Sequence, residues 1–404
     1  MSEHLGDKLS RLRRLSDLTQ EELAEKSGVS VDVVRKLEQR RKGSARLPTL
    51  HALAGGLGVE LTTLLGDPPG VPSTGEADPP QLAAVRRAIH PLMFAPPQES
   101  DGADVLTPSL LRAEIADAWT MYHSAEFPQL LNLLPGILAD ARVTAAQEHH
   151  EGQAALGKAF QLAGHLSIRL GKLDLALAAL ERAIAAAERS GDPLLVPMIC
   201  NSLAWAYQRS NRLDDAKRIA LYAADGMERD GLTDNASGLR VWGGLTMSAA
   251  TSYARLDDYD DADRMMRAAE EAAGRLAKMP PTEGDGRLLS VFSKSSVRIE
   301  RVRLAVQHER PEEALRLAKG MRLSKDTPAS WRTWLLLDVA RAHTDLGDAE
   351  GAVKALESLR RVAPTWMRHH TLAVAIVSDL MALRNRPPGL RSIAEFLGVT
   401  NQRR

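Results

Sequence analysis

Between residues 35 and 46 the chain places six basic side chains, Arg35, Lys36, Arg40, Arg41, Lys42 and Arg46, against one acid, Glu38. Lys plus Arg and Asp plus Glu balance at 52 each over the whole chain, so this excess is local. Cations at a helix end can do no more than offset the helix dipole in solvent. Six in twelve positions is a density better suited to a row of phosphates. A second set lies far downstream, where Gln161, His165 and Arg169, then Asn201, Trp205 and Arg209, then Met247, Thr251 and Arg255 recur at spacings of four. That spacing puts each trio on one face of a helix. Arg303 and Arg341 stand one turn higher in two later helices, above Gln307 and Asp345. An asparagine there can bond a peptide backbone, a tryptophan can wall a groove, and arginines can hold an anionic group or carboxylate. Taken singly, each arginine is better explained by a surface ion pair with an acid of the adjoining turn, such as Asp174, Asp214 or Asp257, and only five together put a groove on an equal footing.

Other chemistry is not supported. No glycine-rich phosphate loop or nucleophile motif is present, so an enzyme is not expected and no cofactor is implied. The pairs His149-His150 and His369-His370 have no further ligand at metal spacing, and adjacent residues on a helix diverge by about 100 degrees. The single cysteine, Cys200, excludes an intramolecular disulfide and lies in an apolar stretch that reads as core, which fits a reducing cytoplasm. Nowhere do 18 apolar residues run uninterrupted, so a soluble, cytoplasmic chain without a membrane partner is expected.

The elements that must carry these groups are helices. Apolar residues make up 44 % of the chain but aromatic ones only 4 %, with Ala and Leu abundant, and this composition is all-α. Leu5, Leu9, Leu12 and Leu15 give residues 3–17 an amphipathic pattern with Lys8, Arg11, Arg13 and Arg14 near its polar side. Thr19 caps a second helix, and Glu22 three residues on completes a capping box. Ala24 must be small where the next helix crosses, and Gly28 supplies the positive φ of a short interhelical turn. Ser30 caps a third helix that buries Val34 and Leu37 and leaves Val31, Asp32, Arg35 and Lys36 pointing outward.

The run TQEELAEKSGVS, followed by Val34, Leu37 and Glu38, resembles the Cro and phage-repressor family of helix-turn-helix regulators, the XRE type. The likeness extends from Leu5 to about Leu65, where LPTLHALAGGLGVELTTLL is similar to the family's last two helices. The stretch RRKGSAR departs from it, being longer and more basic than the usual connection. The resemblance implies a five-helix domain over residues 1–67 that binds double-stranded DNA. By it, Gln20 would hold a phosphate, Ser30 would open the reading helix, and Val31, Asp32, Arg35 and Lys36 would face base edges. Arg40, Arg41 and Lys42 would set register through phosphates. Arg35 or Lys36 can reach guanine O6 and N7, Asp32 can accept from cytosine N4, and Val31 can touch a thymine methyl. For Asp32 the helix dipole, which favours an acid in the first turn, is the stronger explanation.

Residues 68–108 read as a proline-rich linker holding one helix, Gln81 to about Ile89, suited to dimer or domain packing. From residue 109 one phrase returns: a turn with Gly, Asn or Asp, an acid, then Ala and small or apolar residues at spacings of four and three. Its instances include GKLDLALAALERA, NRLDDAKRIALYA, DDYDDADRMMRAA, ERPEEALRLAKGM and GDAEGAVKALESL, with a degenerate one, EFPQLLNLLPGI. These resemble tetratricopeptide repeats, about six over residues 109–385. Ala176, Ala216, Ala262, Ala314 and Ala352 mark the helix crossings and Leu131 takes that place in the first repeat. Intervals of 38 to 52 residues between these marks exceed the usual ~34, so longer helices or loops are expected, as between Gly284 and Ser290. Stacked repeats would form an α-solenoid with a concave face. Residues 386–404 contain IAEFLGVT, an echo of a helix-turn-helix start, and read as a capping helix and tail or a partner-packing element.

The order of the two parts resembles the peptide-sensing, quorum-sensing bacterial regulators grouped as RRNPP. That likeness implies a homodimer whose repeats take a short peptide, for which the columns above offer Arg169, Asn201, Trp205, Arg209, Arg255, Arg303 and Arg341 as contacts. Two reading helices would need to lie ~34–36 Å apart, or a multiple of that. The alternative is a repeat domain that serves as an adaptor for a folded protein partner, without a small ligand.

Overall fold

The computed structural model describes residues 5–16, 18–39, 45, 47–59, 64, 79–91, 105–280, 290–323, 327–368 and 370–399. Among these the structure is all-α, with twenty α-helices, one 3-10 turn and no strand. Two compact units divide it: residues 1–73 with 298–404, and residues 74–297. The division falls inside the stretch expected as one solenoid, between Val297 and Arg298.

The head comprises α1 (Leu5–Leu15), α2 (Gln20–Ser27), α3 (Val31–Glu38) and α4 (Leu47–Gly56). Leu9, Leu23, Val34, Leu37, Leu50, Leu53 and Leu64 are its fully buried core, which the helical spacing of these residues converges on one centre. At Gly6 α1 crosses α3 so closely that a Cβ would collide with the Leu37 carbonyl. Of the expected fifth helix only Leu64 lies within the described residues.

In the 74–297 unit, α5 (Pro80–Ile89) buries Leu82, Val85 and Ile89, and Arg86 meets Asp174 at 2.9 Å. It therefore packs on the repeats of its own chain. Three helical hairpins follow the same plan: α6 (Pro108–His123) with α7 (Phe127–Gln147), α8 (His149–Arg169) with α9 (Leu173–Ser190), and α10 (Leu195–Arg209) with α11 (Leu213–Arg229). A fourth pairs α12 (Ala236–Arg255) with α13 (Tyr259–Leu276). The division falls within α14 (Lys294–Gln307), and the other unit continues through α15 (Pro311–Ala318), then α16 (Ala329–Asp345) and α17 (Ala349–Val362).

One local device repeats in all six hairpins. Ala125, Gly171, Asn211, Asp257, Glu309 and Gly347 adopt left-handed backbone conformations, with φ between 56° and 75°. Each is followed by a residue whose N–H bonds the carbonyl five positions back, from Glu126 to Met121 through Asp348 to His343, at 2.8–3.0 Å. This closes the first helix with a Schellman turn. The second helix starts two residues after the left-handed residue, and its fourth residue is buried: Leu130, Ala176, Ala216, Ala262, Ala314 and Ala352. In the first repeat the buried position is thus Leu130, whereas Leu131 is only half-buried. The turn at Ala125 sets the register there, and counting apolar residues misses it by one.

Helices of 15 to 21 residues from α7 to α13 account for much of the long repeat interval. The loop expected between Gly284 and Ser290 lies outside the described residues save Ser290. The chain ends through α18 (Pro364–Arg368), α19 (Thr371–Met381) and α20 (Leu390–Phe396). In α20 the IAEFLGVT echo has a physical counterpart. Gly398 takes φ 69° and Val399 N–H bonds Ala394 O at 2.8 Å, the same closure that Gly28 and Val29 make after α2. This helix buries Leu390, Ile393 and Ala394, and Phe396 lies under the guanidinium groups of Arg360 and Arg368 at 4.8 and 4.3 Å.

Candidate nucleic-acid interface and repeat groove

Local capping sets the α2–turn–α3 geometry of the head. Thr19 Oγ1 accepts from Glu22 N–H at 3.1 Å while the Glu22 carboxylate accepts from Thr19 N–H at 2.7 Å, which holds the Glu22 carboxyl below its usual range. Gly28 turns the chain at φ 65°, and Ser30 accepts from Val33 N–H to start α3. Asp32, Arg35 and Lys36 are exposed on α3. Val31 differs from the outward position expected of it, being half-buried against the head core. Lys36 Nζ lies 2.6 Å from Asp32 and Arg35 Nη2 lies 3.5 Å from Glu21. Exposed pairs of this kind are worth little in water and exchange readily for phosphate or base partners.

Glu38, at the end of α3, joins three helices. Arg13 donates to its two oxygens at 2.7 and 2.9 Å, and Gln20 Nε2 donates at 2.6 Å. Burial works against its charge, but the Arg13 and Gln20 hydrogen bonds outweigh it and keep the carboxyl below the usual glutamate range. Gln20 thus has an intramolecular partner at the start of α2, beside any phosphate it would hold. In sequence Arg13 lies near the polar side of the first helix and Glu38 is the single acid of the basic run, and no spacing rule joins residues 25 apart. Arg40, Arg41 and Lys42 lie outside the described residues.

In the 74–297 unit the first helices α8, α10 and α12 bring the expected columns side by side. Gln161 Nε2 donates to Ser202 Oγ at 2.9 Å, and His165 Nε2 shares that hydroxyl at 2.9 Å. The His165 ring sits 4.9, 5.7 and 5.1 Å from the rings of Trp119, Tyr122 and Trp205. Burial first, and the nearby His123, Arg169 and Lys158 next, push His165 down to about 3, so the ring is neutral. Arg169 lies 5.1 Å over the Trp205 ring and donates Nε to Tyr122 OH at 3.3 Å. Burial lowers Lys158 to about 7, and its amine contacts Gln161 Oε1 at 3.3 Å.

Asn201 Oδ1 accepts from Ser248 Oγ at 2.6 Å. Arg255 donates to Gln208 O at 2.6 Å and Asn211 Oδ1 at 3.2 Å, and Arg209 is half-buried at the end of α10. Met247 and Thr251 are buried. Much of each column therefore joins one first helix to the next. The acids of the adjoining turns have other partners: Asp174 meets Arg86, Asp214 meets Lys217 at 2.9 Å, and Asp257 accepts from Tyr259 OH at 2.7 Å.

Arg303 and Arg341 belong to the other unit. Arg303 lies 5.3 Å over Trp334 and 3.7 Å from buried Glu300. Arg341 departs from the groove position expected of it: Asp345 and Asp379 draw it into the interior. Helices α16 and α17 also flank an open hollow of about 480 Å³ lined by Leu336, Val339, His343, Asp348, Lys354 and Ser358 among others. Cys200 is buried, which pushes its thiol up to about 11. Among the described residues no three His, Cys, Asp or Glu side chains are placed to hold a metal ion, and no helix is long and apolar enough to cross a membrane.

Fold and site define a helix-turn-helix head joined to helical-hairpin repeats. Residues 9–64 match the helix-turn-helix family and residues 157–189 the tetratricopeptide repeat family. The chain thus carries an XRE-type helix-turn-helix region followed by tetratricopeptide-type repeats. No curated protein matches it. Among solved structures it is similar to BtubC (BKLC) from P. vanneervenii, at 19 % identity over 63 % of this chain and 92 % of that one, with a TM-score of 0.41.

Proposed function

We propose that this chain is a cytoplasmic, sequence-specific DNA-binding transcription regulator that acts as a homodimer, with repeats that sense a short peptide. The observation that carries the DNA assignment is the exposed face of α3, where Asp32, Arg35 and Lys36 stand clear of the core while Glu38 ties the helix to α1 and α2. A helix anchored to its neighbours with exposed charged side chains is what major-groove reading requires. Arg40, Arg41 and Lys42 add phosphate contacts.

Peptide sensing is supported, within the 74–297 unit, by the Trp205 ring with Arg169 over its face, and by half-buried Asn201, Arg209 and Arg255 on successive first helices. Selection of duplexes from a random pool, followed by anisotropy titration at two salt concentrations, tests the DNA reading. Failure to enrich any sequence would overturn it. Calorimetry of short peptides encoded beside its gene, against wild type and Asn201→Ala, tests the ligand. If no peptide binds while a defined folded protein does so stoichiometrically, the repeats are an adaptor instead.

A further inference from the structure

Arg341 has surroundings that a ligand groove does not explain. It lies on α16 and is 3 % exposed. Its Nη2 is 2.8 Å from Asp345 one turn on, and its Nη1 is 3.3 Å from Asp379 on α19. The same Nη2 donates at 3.1 Å to the carbonyl oxygen of Ala45, 296 positions away in sequence. Ala45 is part of the head: it is 3 % exposed and packs in the core cluster with Leu9, Leu50 and Leu53. In sequence it stands three residues after Lys42 and two before α4. Head, α16 and α19 all belong to one compact unit.

A buried guanidinium is costly unless its N–H groups find acceptors, and apolar side chains commonly pack two helices at less cost. Here the Nε finds no hydrogen-bond partner among the described residues. Helix packing alone is therefore a poor reason for an arginine at this position. What a guanidinium adds is direction. Its planar fork, with a carboxylate on each Nη, holds the direction of the Nη2 N–H groups, and the Ala45 carbonyl accepts from that same Nη2. The acids on α16 and α19 orient the arginine, and the arginine in turn orients the head.

We infer that Arg341, set by Asp345 and Asp379, is an internal latch by which the last repeats grip the helix-turn-helix head at Ala45, just after the basic segment. A shift of α19 against α16 removes Asp379 from the guanidinium and slackens the hold on Ala45. An event on the last repeats thereby reaches the head without crossing the proline-rich linker. The effect of the latch on DNA binding rests on the DNA reading above; its existence does not.

The full chain is compared as wild type, Arg341→Lys, Asp379→Asn and Leu356→Ala. Lysine keeps the charge without the fork, and asparagine keeps the shape without the charge. Leu356→Ala opens a cavity in the core of α17 and reports general weakening of the same repeats. Hydrogen exchange is followed by mass spectrometry, and affinity is measured for a duplex selected by wild type. The latch variants should speed exchange in α4 at least tenfold and weaken the duplex five- to twentyfold. Leu356→Ala should speed exchange in α16 and α17 and leave α4 as in wild type. Unchanged α4 exchange in both latch variants, or equal acceleration by Leu356→Ala, overturns the latch. A loosened α4 with unchanged affinity overturns its role in DNA binding. If wild type selects no duplex, the DNA reading falls and the exchange result still decides the latch.

Discussion

Arg13 grips Glu38 through two hydrogen bonds, Nε to Oε1 at 2.7 Å and Nη2 to Oε2 at 2.9 Å, and so fixes the end of α3 to the first helix of the head. Both side chains are nearly buried, at 11 % and 6 % exposure, so solvent screens the pair weakly.

Breaking this pair leaves a buried carboxylate without its main partner. Arg13→Met should destabilise the head by about 3 kcal/mol. The pH dependence has a definite sign. Because the folded Glu38 carboxyl lies below its ordinary value, its contribution is complete above the unfolded carboxylate range and is lost as pH falls through the folded value. The stability gap between wild type and Arg13→Met, followed by hydrogen exchange of α1 and α3, should therefore be largest above the unfolded carboxylate range and shrink as pH falls, giving Arg13→Met the shallower acid limb. An unchanged acid limb would contradict the role given to Arg13.

Two cations of the head should fail in different ways. Lys36→Ala should relax sequence preference, costing about 1–3 kcal/mol at one base position. Arg41→Ala should weaken all duplexes alike and flatten the salt dependence of log K by about one unit. Anisotropy titrations on matched and scrambled duplexes separate the two, and identical behaviour would show that α3 is not the reading helix.

Asp338 gives the repeats a pH dependence of the opposite sense. Burial raises its carboxyl to about 7, with Glu300 adding to the rise and Arg303 opposing it. Its folded value lies above its unfolded one, so stability falls as pH climbs between the two and stays at its lower level beyond about 7. Asp338→Asn should remove this slope and be more stable than wild type at pH 8, by a margin that shrinks towards pH 4. Urea unfolding across that range measures it; parallel slopes in the two proteins would refute the assignment.

Two glycines should respond oppositely to alanine. Gly136 lies exposed within α7 with open space around its Cα, so Gly136→Ala should stabilise by ~0.5–1 kcal/mol. Gly347 holds φ 75° in the turn before α17, and Gly347→Ala should destabilise by about 1 kcal/mol. Thermal unfolding of the pair tests whether the left-handed turn sets the repeat register.

The features legible in the amino-acid sequence are those governed by interactions over three to five residues. The Thr19–Glu22 capping box, the Gly28 turn, the Ser30 cap and the small crossing residues Ala176, Ala216, Ala262, Ala314 and Ala352 were readable because hydrogen-bond closure and helical period act locally. The first repeat shows the limit: Leu130 and Leu131 are equally apolar, and only the backbone conformation at Ala125 chooses between them. Pairings across helices were not readable. Gln20 and Arg13 meet Glu38 from separations of 18 and 25 residues, Asn201 meets Ser248, and Arg341 meets Ala45. Sequence by itself determined which residues are helical, capped and apolar. Tertiary structure alone decided which polar groups share a buried space, because that depends on how each helix is rotated and crossed when its apolar face is buried, and no local rule encodes it.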